Sequence, residues 1–180
     1  MVRSPFVALC TGDARRRWLV TTESDTRVWI TNASPNIEAV VNPVIAACDD
    51  GFVPDRVHLL GNPSVEDAGE EALGLVDETI TTYEGDASLD AEMLADERDF
   101  EAIVEFYRRT LEDTPDDAAV AVDVTPGRKF MSALAFQAGM RYGADHVFYL
   151  YLYSNAYYDR LYPEIPTTGV DLMDFTGVFS

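Results

Sequence analysis

The chain has 180 residues and a mass of 20.0 kDa, and 47% of its residues are apolar, enough for one domain with a full core. Thirteen basic against 32 acidic residues give a net charge of −19, which excludes a duplex-binding protein built around a basic stripe, because such a surface repels phosphate in bulk. Among the 13 basic residues only Lys129 is a lysine; the others are arginines.

Residues 6–10 and 18–20 are short apolar pieces around a polar stretch that holds Gly12-Asp13, a turn signal, and Arg15-Arg16-Arg17. Residues 1–25 are predicted as a hairpin or arm. Residues 27–32 form a β-rich run that ends in polar residues and reads as the first strand. Pro35 suits the opening of a helix, and Ile37, Val40, Val41, Val44 and Ile45 recur at helical spacing. Pro43 inside that pattern predicts a kink, and Gly51 ends the helix. Residues 56–60 are the second strand, followed by Gly61-Asn62-Pro63. Ser64 with Asp67 matches a capping box, and Leu73, Val76 and Ile80 mark the face of the helix it would open.

The β-branched stretch 79–83 reads as a short third strand, and 85–95 as a loop. Phe100, Ile103, Val104, Tyr107 and Leu111 mark an amphipathic helix. Residues 118–122 form a buried fourth strand. Residues 128–141 form a helix through Met131, Leu134, Ala135, Ala138 and Met140, and 146–152 are the last predicted strand. Residues 26–155 are taken as the domain, and 156–180 as a tail packed on it.

Strand–helix alternation predicts an α/β fold: a Rossmann-like three-layer sandwich, mostly parallel, with helices on both faces. With right-handed crossovers and strand order 3-2-1-4-5, the chain reverses direction between the first and fourth strands. Ligands of open α/β sheets bind at that point, outside the carboxyl ends of the strands. The first strand ends at Asn32-Ala33-Ser34 and the fourth at Thr125-Pro126-Gly127-Arg128-Lys129, so the two clusters are expected to line one crevice.

In the second cluster Thr125 offers a hydroxyl, and Gly127 allows close backbone approach. Arg128 and Lys129 sit at a predicted helix N-terminus, where free N–H groups and the dipole favour an anion. Cations there oppose the dipole by ~0.3–1 kcal/mol, so a bound phosphate is the simplest reason for them. The alternative is solvent-facing cations paired with some of the many carboxylates. The loop is not a P-loop, since GxxxxGK[ST] is absent, and no GxGxxG follows the first strand.

The segment DVTPGRKFMSALAF, residues 123–136, resembles the D-x-T-G-G-T-K-x-M segment of CARF domains, the Rossmann-like sensors of CRISPR systems. TNASPNIEAVVNPV, residues 31–44, resembles the turn and helix after the first strand of that family. Pro126 and Arg128 stand where the family pattern has Gly and Thr. Pro126 removes a backbone donor, and Arg128 adds a bidentate one. The resemblance implies a homodimer that binds cyclic oligoadenylate across its two-fold axis. With no effector domain evident, it implies a stand-alone sensor with a possible separate effector chain, or a metal-independent ring nuclease. In the second case the 2′-hydroxyl of the ligand attacks the adjacent phosphate, Lys129 stabilises the developing charge, and Ser34 or Thr125 aligns the reacting groups. A third reading is an unrelated nucleotide- or sugar-phosphate-binding protein.

The candidate catalytic residues are Lys129 and Ser34. The candidate ligand-binding set is Asn32, Ser34, Asn36, Gly61, Asn62, Thr125, Gly127, Arg128 and Lys129. No cofactor and no metal site is expected. His58 and His146 occupy strand positions and are read as structural. Tyr149, Tyr151 and Tyr153 share one strand face and are read as packing or a dimer contact rather than base-stacking groups. Tyr157 and Tyr158 are left open between the two. Cys10 and Cys48 are expected to be free buried thiols. High acidity with one lysine suggests salt adaptation, since screening at molar salt (Debye length ~3 Å at 1 M) relieves carboxylate repulsion. No signal peptide and no long apolar run is evident, so the expected location is cytoplasmic, with no membrane contact.

Overall fold

Successive side chains of a strand point to opposite faces, and here both sets are apolar. Trp29, Leu59, Ala121, Phe148 and Leu150 join one buried cluster, and Val28, Ile30, Leu60, Val122 and Val147 join a second. Strands apolar on both faces need a layer of helices on each side. The structure, a computed structural model, describes residues 26–178 and has that architecture.

In chain order the elements are β1 (Arg27–Asn32), α1 (Ile37–Asp49), β2 (Arg56–Gly61), α2 (Glu66–Thr82), β3 (Ser88–Met93), α3 (Phe100–Glu112), β4 (Ala119–Asp123), α4 (Lys129–Tyr142), β5 (His146–Leu152) and β6 (Val170–Asp174). The sheet order is β3-β2-β1-β4-β5-β6. β1 to β5 are parallel, and β6 pairs antiparallel with β5. α1 and α2 cover the Trp29 face with Val40, Val44, Val76 and Ile80. α3 and α4 cover the other with Ile103, Phe106, Met131 and Ala135. Each such side chain fully buried contributes ~1.5–3 kcal/mol. Trp29 lies 5.7 Å from Phe148 and 6.1 Å from Phe52, centroid to centroid. α4 approaches the sheet at Gly139, where a Cβ would stand 2.9 Å from Val147 Cγ2.

The Rossmann-like α/β class and the predicted order of the first five strands are therefore observed. Three local expectations fail. Residues 79–83 are not a strand but the last turn of α2 and its C-cap. The Thr79 and Thr82 hydroxyls donate to the carbonyls of Leu75 and Glu78, and Ile80 is buried on the helix face. Helix packing outweighs β-branched preference there. The third strand is instead 88–93, predicted as loop. It is an edge strand, and Asp90 and Glu92 are exposed on it, so its sequence shows no apolar alternation. The capping box does not form either. Ser64 donates its N–H and its hydroxyl to Asn62 Oδ1, in a short 3₁₀ turn that precedes α2. Helix α1 continues through Pro43.

No strand was expected beyond residue 152, yet β6 closes that edge. Asp174 fixes it: Oδ1 accepts from Val147 N–H at 3.2 Å and Thr176 N–H at 3.0 Å, and Oδ2 meets His146 Nδ1 at 2.9 Å. The His146 ring also stacks on Phe148 at 5.0 Å, so this histidine holds the sheet together. Cys48 is a buried free thiol, pushed up to about 12 chiefly by burial and secondarily by Asp49. The predicted arm, with Cys10 and Arg15-Arg16-Arg17, lies outside the described residues. Among the described residues no helix is long and apolar enough to cross a membrane.

Exposed ion pairs such as Arg98–Asp96 leave the net charge of −19 unchanged, since it already counts both partners. Raising NaCl from 0.1 to 2 M is therefore expected to raise the melting temperature by several degrees, because screening relieves carboxylate repulsion. Circular-dichroism melts across that range check this, and a falling melting temperature contradicts salt adaptation.

Candidate ligand-binding crevice

The pairing of β1 with β4 runs to Ile30↔Val122, while β1 stays paired with β2 beyond it through Ala33 N–H to Leu60 C=O at 2.7 Å. The two chains thus separate at their carboxyl ends, between the half of the sheet wound one way and the half wound the other. Thr31, Asn32 and Asp123 fill the gap and are almost fully buried. Buried polar groups need partners, and most of these have them. Asp123 Oδ2 accepts from the Thr31 hydroxyl at 3.0 Å, and Oδ1 accepts from Thr125 N–H at 2.9 Å. Asn32 Oδ1 accepts from the Tyr107 hydroxyl at 2.9 Å. Asn32 Nδ2 is buried and has no hydrogen-bond partner among the described residues. Burial pushes the Asp123 carboxyl up to about 7, against the lowering effect of its bonds from Thr125 and Thr31. Burial, and then the nearby Asp123, push the Tyr107 phenol up.

The β4–α4 loop closes over Asn32. Gly127 has φ +93°, and a Cβ on it would lie 3.2 Å from Asn32 Cβ. A side chain is disfavoured there by conformation and by space, so glycine is the residue that lets the loop sit this close. Gly127→Ala is expected to destabilise the fold by ~1–3 kcal/mol, or about 2–4 °C in melting temperature per kcal/mol. A thermal melt checks this, and an unchanged melting temperature would show that the loop relaxes freely. The Thr125 hydroxyl oxygen accepts from Leu150 N–H at 2.8 Å, a side-chain continuation of the β4–β5 ladder. The Pro126 carbonyl accepts from the Ser132 hydroxyl at 3.2 Å.

This loop delivers two exposed cations to the start of α4. Arg128 is the N-cap residue, with no side-chain cap bond, and its Nε donates to Glu97 Oε2 at 2.9 Å. Lys129 is exposed and makes no ion pair or side-chain hydrogen bond among the described residues. The β1–α1 turn lies opposite. Ser34 is buried and its hydroxyl accepts from Asn36 N–H at 3.1 Å, while Asn36 is exposed at the start of α1. Gly61 and Asn62 serve the neighbouring turn. Gly61 packs against Met93 Sδ and Ala33, and Asn62 caps the 3₁₀ turn.

A cavity of about 650 Å³ adjoins the crevice at the carboxyl end of β5. It includes Asn36 and Thr125 from the predicted set, but not Arg128 or Lys129. Of its tyrosines, Tyr151 and Tyr153 do not pack into the core, which leaves the dimer-contact alternative of their expected role, and Tyr158, left open, is exposed too. β5 runs past its last pair with β4, Asp123↔Phe148, while staying paired with β6 through Leu152↔Val170. Tyr149 packs against Phe175, but Tyr151 and Tyr153 are 43% and 61% exposed, and Tyr158 is 59% exposed. Tyr157, in contrast, is an internal staple, its ring lying 2.6 Å from where a Gly169 Cβ would be.

Asp123 and Tyr107 were missing from the predicted set. An acid that closes an apolar run just before Thr-Pro-Gly was a usable signal for Asp123. Tyr107 sits on a helix face and gave none. His58 lies mid-strand on β2, 3.9 Å from Asp90, and burial lowers its pKa. Neither histidine reaches the crevice. Among the described residues no group of His, Cys, Asp and Glu is arranged to hold a metal ion.

No family model matches the chain, and no curated protein matches it. Among solved structures it is similar to Enterococcus italicus Csm6 bound to cyclic hexa-2′-fluoro-hexa-dAMP, with a TM-score of 0.52 and 17% identity. The match covers 74% of this chain and 34% of that one. The chain thus shares its Rossmann-like α/β fold with about a third of that Csm6.

Proposed function

We propose that the chain is a CARF-like sensor that binds cyclic oligoadenylate as a homodimer. The observation that carries the reading is the β4–α4 loop. It is seated on Asn32 through Gly127 and presents the uncapped start of α4, together with Lys129, which lacks an ion pair among the described residues in a chain of net charge −19. Backbone N–H groups at a helix start and a lysine together suit a phosphodiester. Asp123, bonded to both Thr31 and Thr125, keeps the loop in place, so the anion site is preorganised. The similar Csm6 was solved with a cyclic hexanucleotide analogue, which is consistent with that ligand class. A cyclic ligand with two-fold symmetry matches a site formed from two copies of the crevice. Arg128 is held by Glu97, so a phosphate there competes with a carboxylate.

Ring opening is the second reading, favoured by the same Lys129, exposed at the start of α4, and needing no histidine. The ligand 2′-oxygen bonds to phosphorus as the P–O5′ bond breaks. The 2′-hydroxyl proton ends on the departing 5′-oxygen, leaving a 2′,3′-cyclic phosphate. Lys129 stabilises the phosphorane charge.

The test is incubation of the purified protein with cyclic tetra- and hexa-adenylate in molar salt and chelator, followed by chromatography and sedimentation. Retained intact ring on a dimer is the expected result. Linear products favour the ring-nuclease reading. Neither binding nor cleavage at any salt contradicts both.

A further inference from the structure

We infer that Glu97 is a built-in competitor for the anion at the start of α4: its carboxylate and a ligand phosphate contend for Arg128, and capture of Arg128 by the ligand frees residues 95–98 between β3 and α3. The inference rests on the phosphodiester reading above and deepens it by naming how that site is regulated and where binding is reported.

The argument from charge is local. Arg128 and Lys129 bring two cations to one helix start, and Glu97 already answers one of them: Arg128 Nε donates to Glu97 Oε2 at 2.9 Å. Lys129 has no such carboxylate among the described residues. A phosphate therefore meets one uncompensated cation while the pair holds and both cations once it opens. Arginine grips phosphate best through two parallel N–H groups. A phosphate placed on that guanidinium lies beside the Glu97 carboxylate, and like charges at that range repel. The exchange is easy, because the Arg128 side chain is 62% exposed and the Glu97 side chain 28%, and an exposed ion pair holds weakly.

The segment that carries Glu97 is fixed at its ends and loose between them. Leu94 is buried, and its N–H donates to Gly61 C=O at 2.9 Å. Asp99 caps α3, its Oδ1 accepting from Ala102 N–H at 3.0 Å. Between them Asp96 and Arg98 bond to each other. Among the described residues, the hydrogen bond that ties 95–98 to another element is that of Glu97, across 31 positions of sequence. α3 itself has separate anchors. Phe100 meets Phe130 edge to face at 5.3 Å and 70°, and the Tyr107 hydroxyl donates to Asn32 Oδ1 at 2.9 Å. Loss of the Glu97 contact thus loosens a short surface segment and leaves the helix behind it in place, a local form of the order-to-disorder switch.

A double-mutant cycle tests the competition. Wild type, Glu97→Gln, Arg128→Ala and the double variant are titrated calorimetrically with cyclic tetra- and hexa-adenylate in dilute salt, where an exposed pair is least screened. Glu97→Gln is expected to tighten binding roughly 2- to 5-fold, the range an exposed ion pair covers. In the Arg128→Ala background that gain is expected to shrink or vanish. Unchanged or weaker binding by Glu97→Gln overturns the inference. So does an equal gain in both backgrounds, which makes Glu97 a diffuse charge only. Relaxation NMR reads the release: the heteronuclear NOE of amides 95–98 is expected to fall on saturation with the ring while that of α3 holds, and an unchanged NOE at 95–98 overturns the release. If the wild type binds neither ring, the sensor reading fails on its own, and the competition is then read with sodium tripolyphosphate at the Arg128 Nε–H signal. A shift that saturates at lower concentration in Glu97→Gln supports the competition. A shift unaltered by that substitution, or no shift, overturns it.

Discussion

Lys129→Ala is expected to lower affinity for cyclic oligoadenylate at least 100-fold while leaving the fold intact. Lys129 is exposed and lacks an ion pair among the described residues, so its removal changes stability by no more than ~0.5 kcal/mol. Two effects even favour the variant: a cation leaves the positive end of the helix dipole, and alanine is the best helix former. Binding behaves oppositely. A hydrogen bond to a charged group contributes ~1.5–3 kcal/mol, and in a dimer the loss is incurred twice. Titration of wild type and variant, with a thermal melt of each, separates the two effects. A variant that unfolds makes Lys129 structural, and one that binds like wild type removes it from the site.

Asp123→Asn is expected to stabilise the protein at pH 8, to stabilise it less at pH 5, and to change it little below about pH 4. The folded-state pKa of Asp123 is raised to about 7 by burial, against ~3.9 in an unfolded chain. The native state therefore holds a proton that the unfolded state releases. The stability this contributes is fully present below about pH 4 and is lost as pH rises through about 7. Asparagine mimics the neutral acid: its oxygen can accept from Thr125 N–H and its amide can donate to the Thr31 hydroxyl. At pH 8 the gain is on the order of 2–4 kcal/mol. Asp123→Ala is expected to destabilise by ~1–3 kcal/mol below about pH 4, since Thr125 N–H loses its partner, with the loss offset at pH 8 by removal of the buried charge. Melts of wild type and Asp123→Asn from pH 5 to 8 should diverge as pH rises. Parallel curves would show that Asp123 does not titrate in this range. The same charge predicts weaker phosphodiester binding above pH 7, because the ionised carboxylate lies beneath the loop that presents the anion site.

The central strands were legible because they are buried on both faces, as in the run of residues 118–122, and the alternation with helices then fixed the layers. β3 was not, because an edge strand with Asp90 and Glu92 exposed carries no apolar rhythm. Residues 79–83 misled because threonines that bond back to the helix carbonyls are as content in α2 as in a strand. The β4–α4 loop was legible from Gly127 and from cations at a helix start, both local signals. The cavity was not. It exists because residues 153–162 fold over α1, and the Asn42 bonds that hold them join residues 118 and 120 positions apart. Contacts of that separation leave no periodicity in the chain. Tyr151 and Tyr153 were read from strand alternation alone, which cannot show that β5 outruns β4.

The central claim is that a cyclic adenylate lies where the ends of β1 and β4 separate. Amide chemical-shift mapping on titration with cyclic tetra- and hexa-adenylate tests it most directly. The account predicts shifts concentrated in residues 31–36, 124–130 and 149–158. Saturable shifts confined to the opposite, amino-terminal end of the sheet, or no shifts with either ring at any salt, would contradict it.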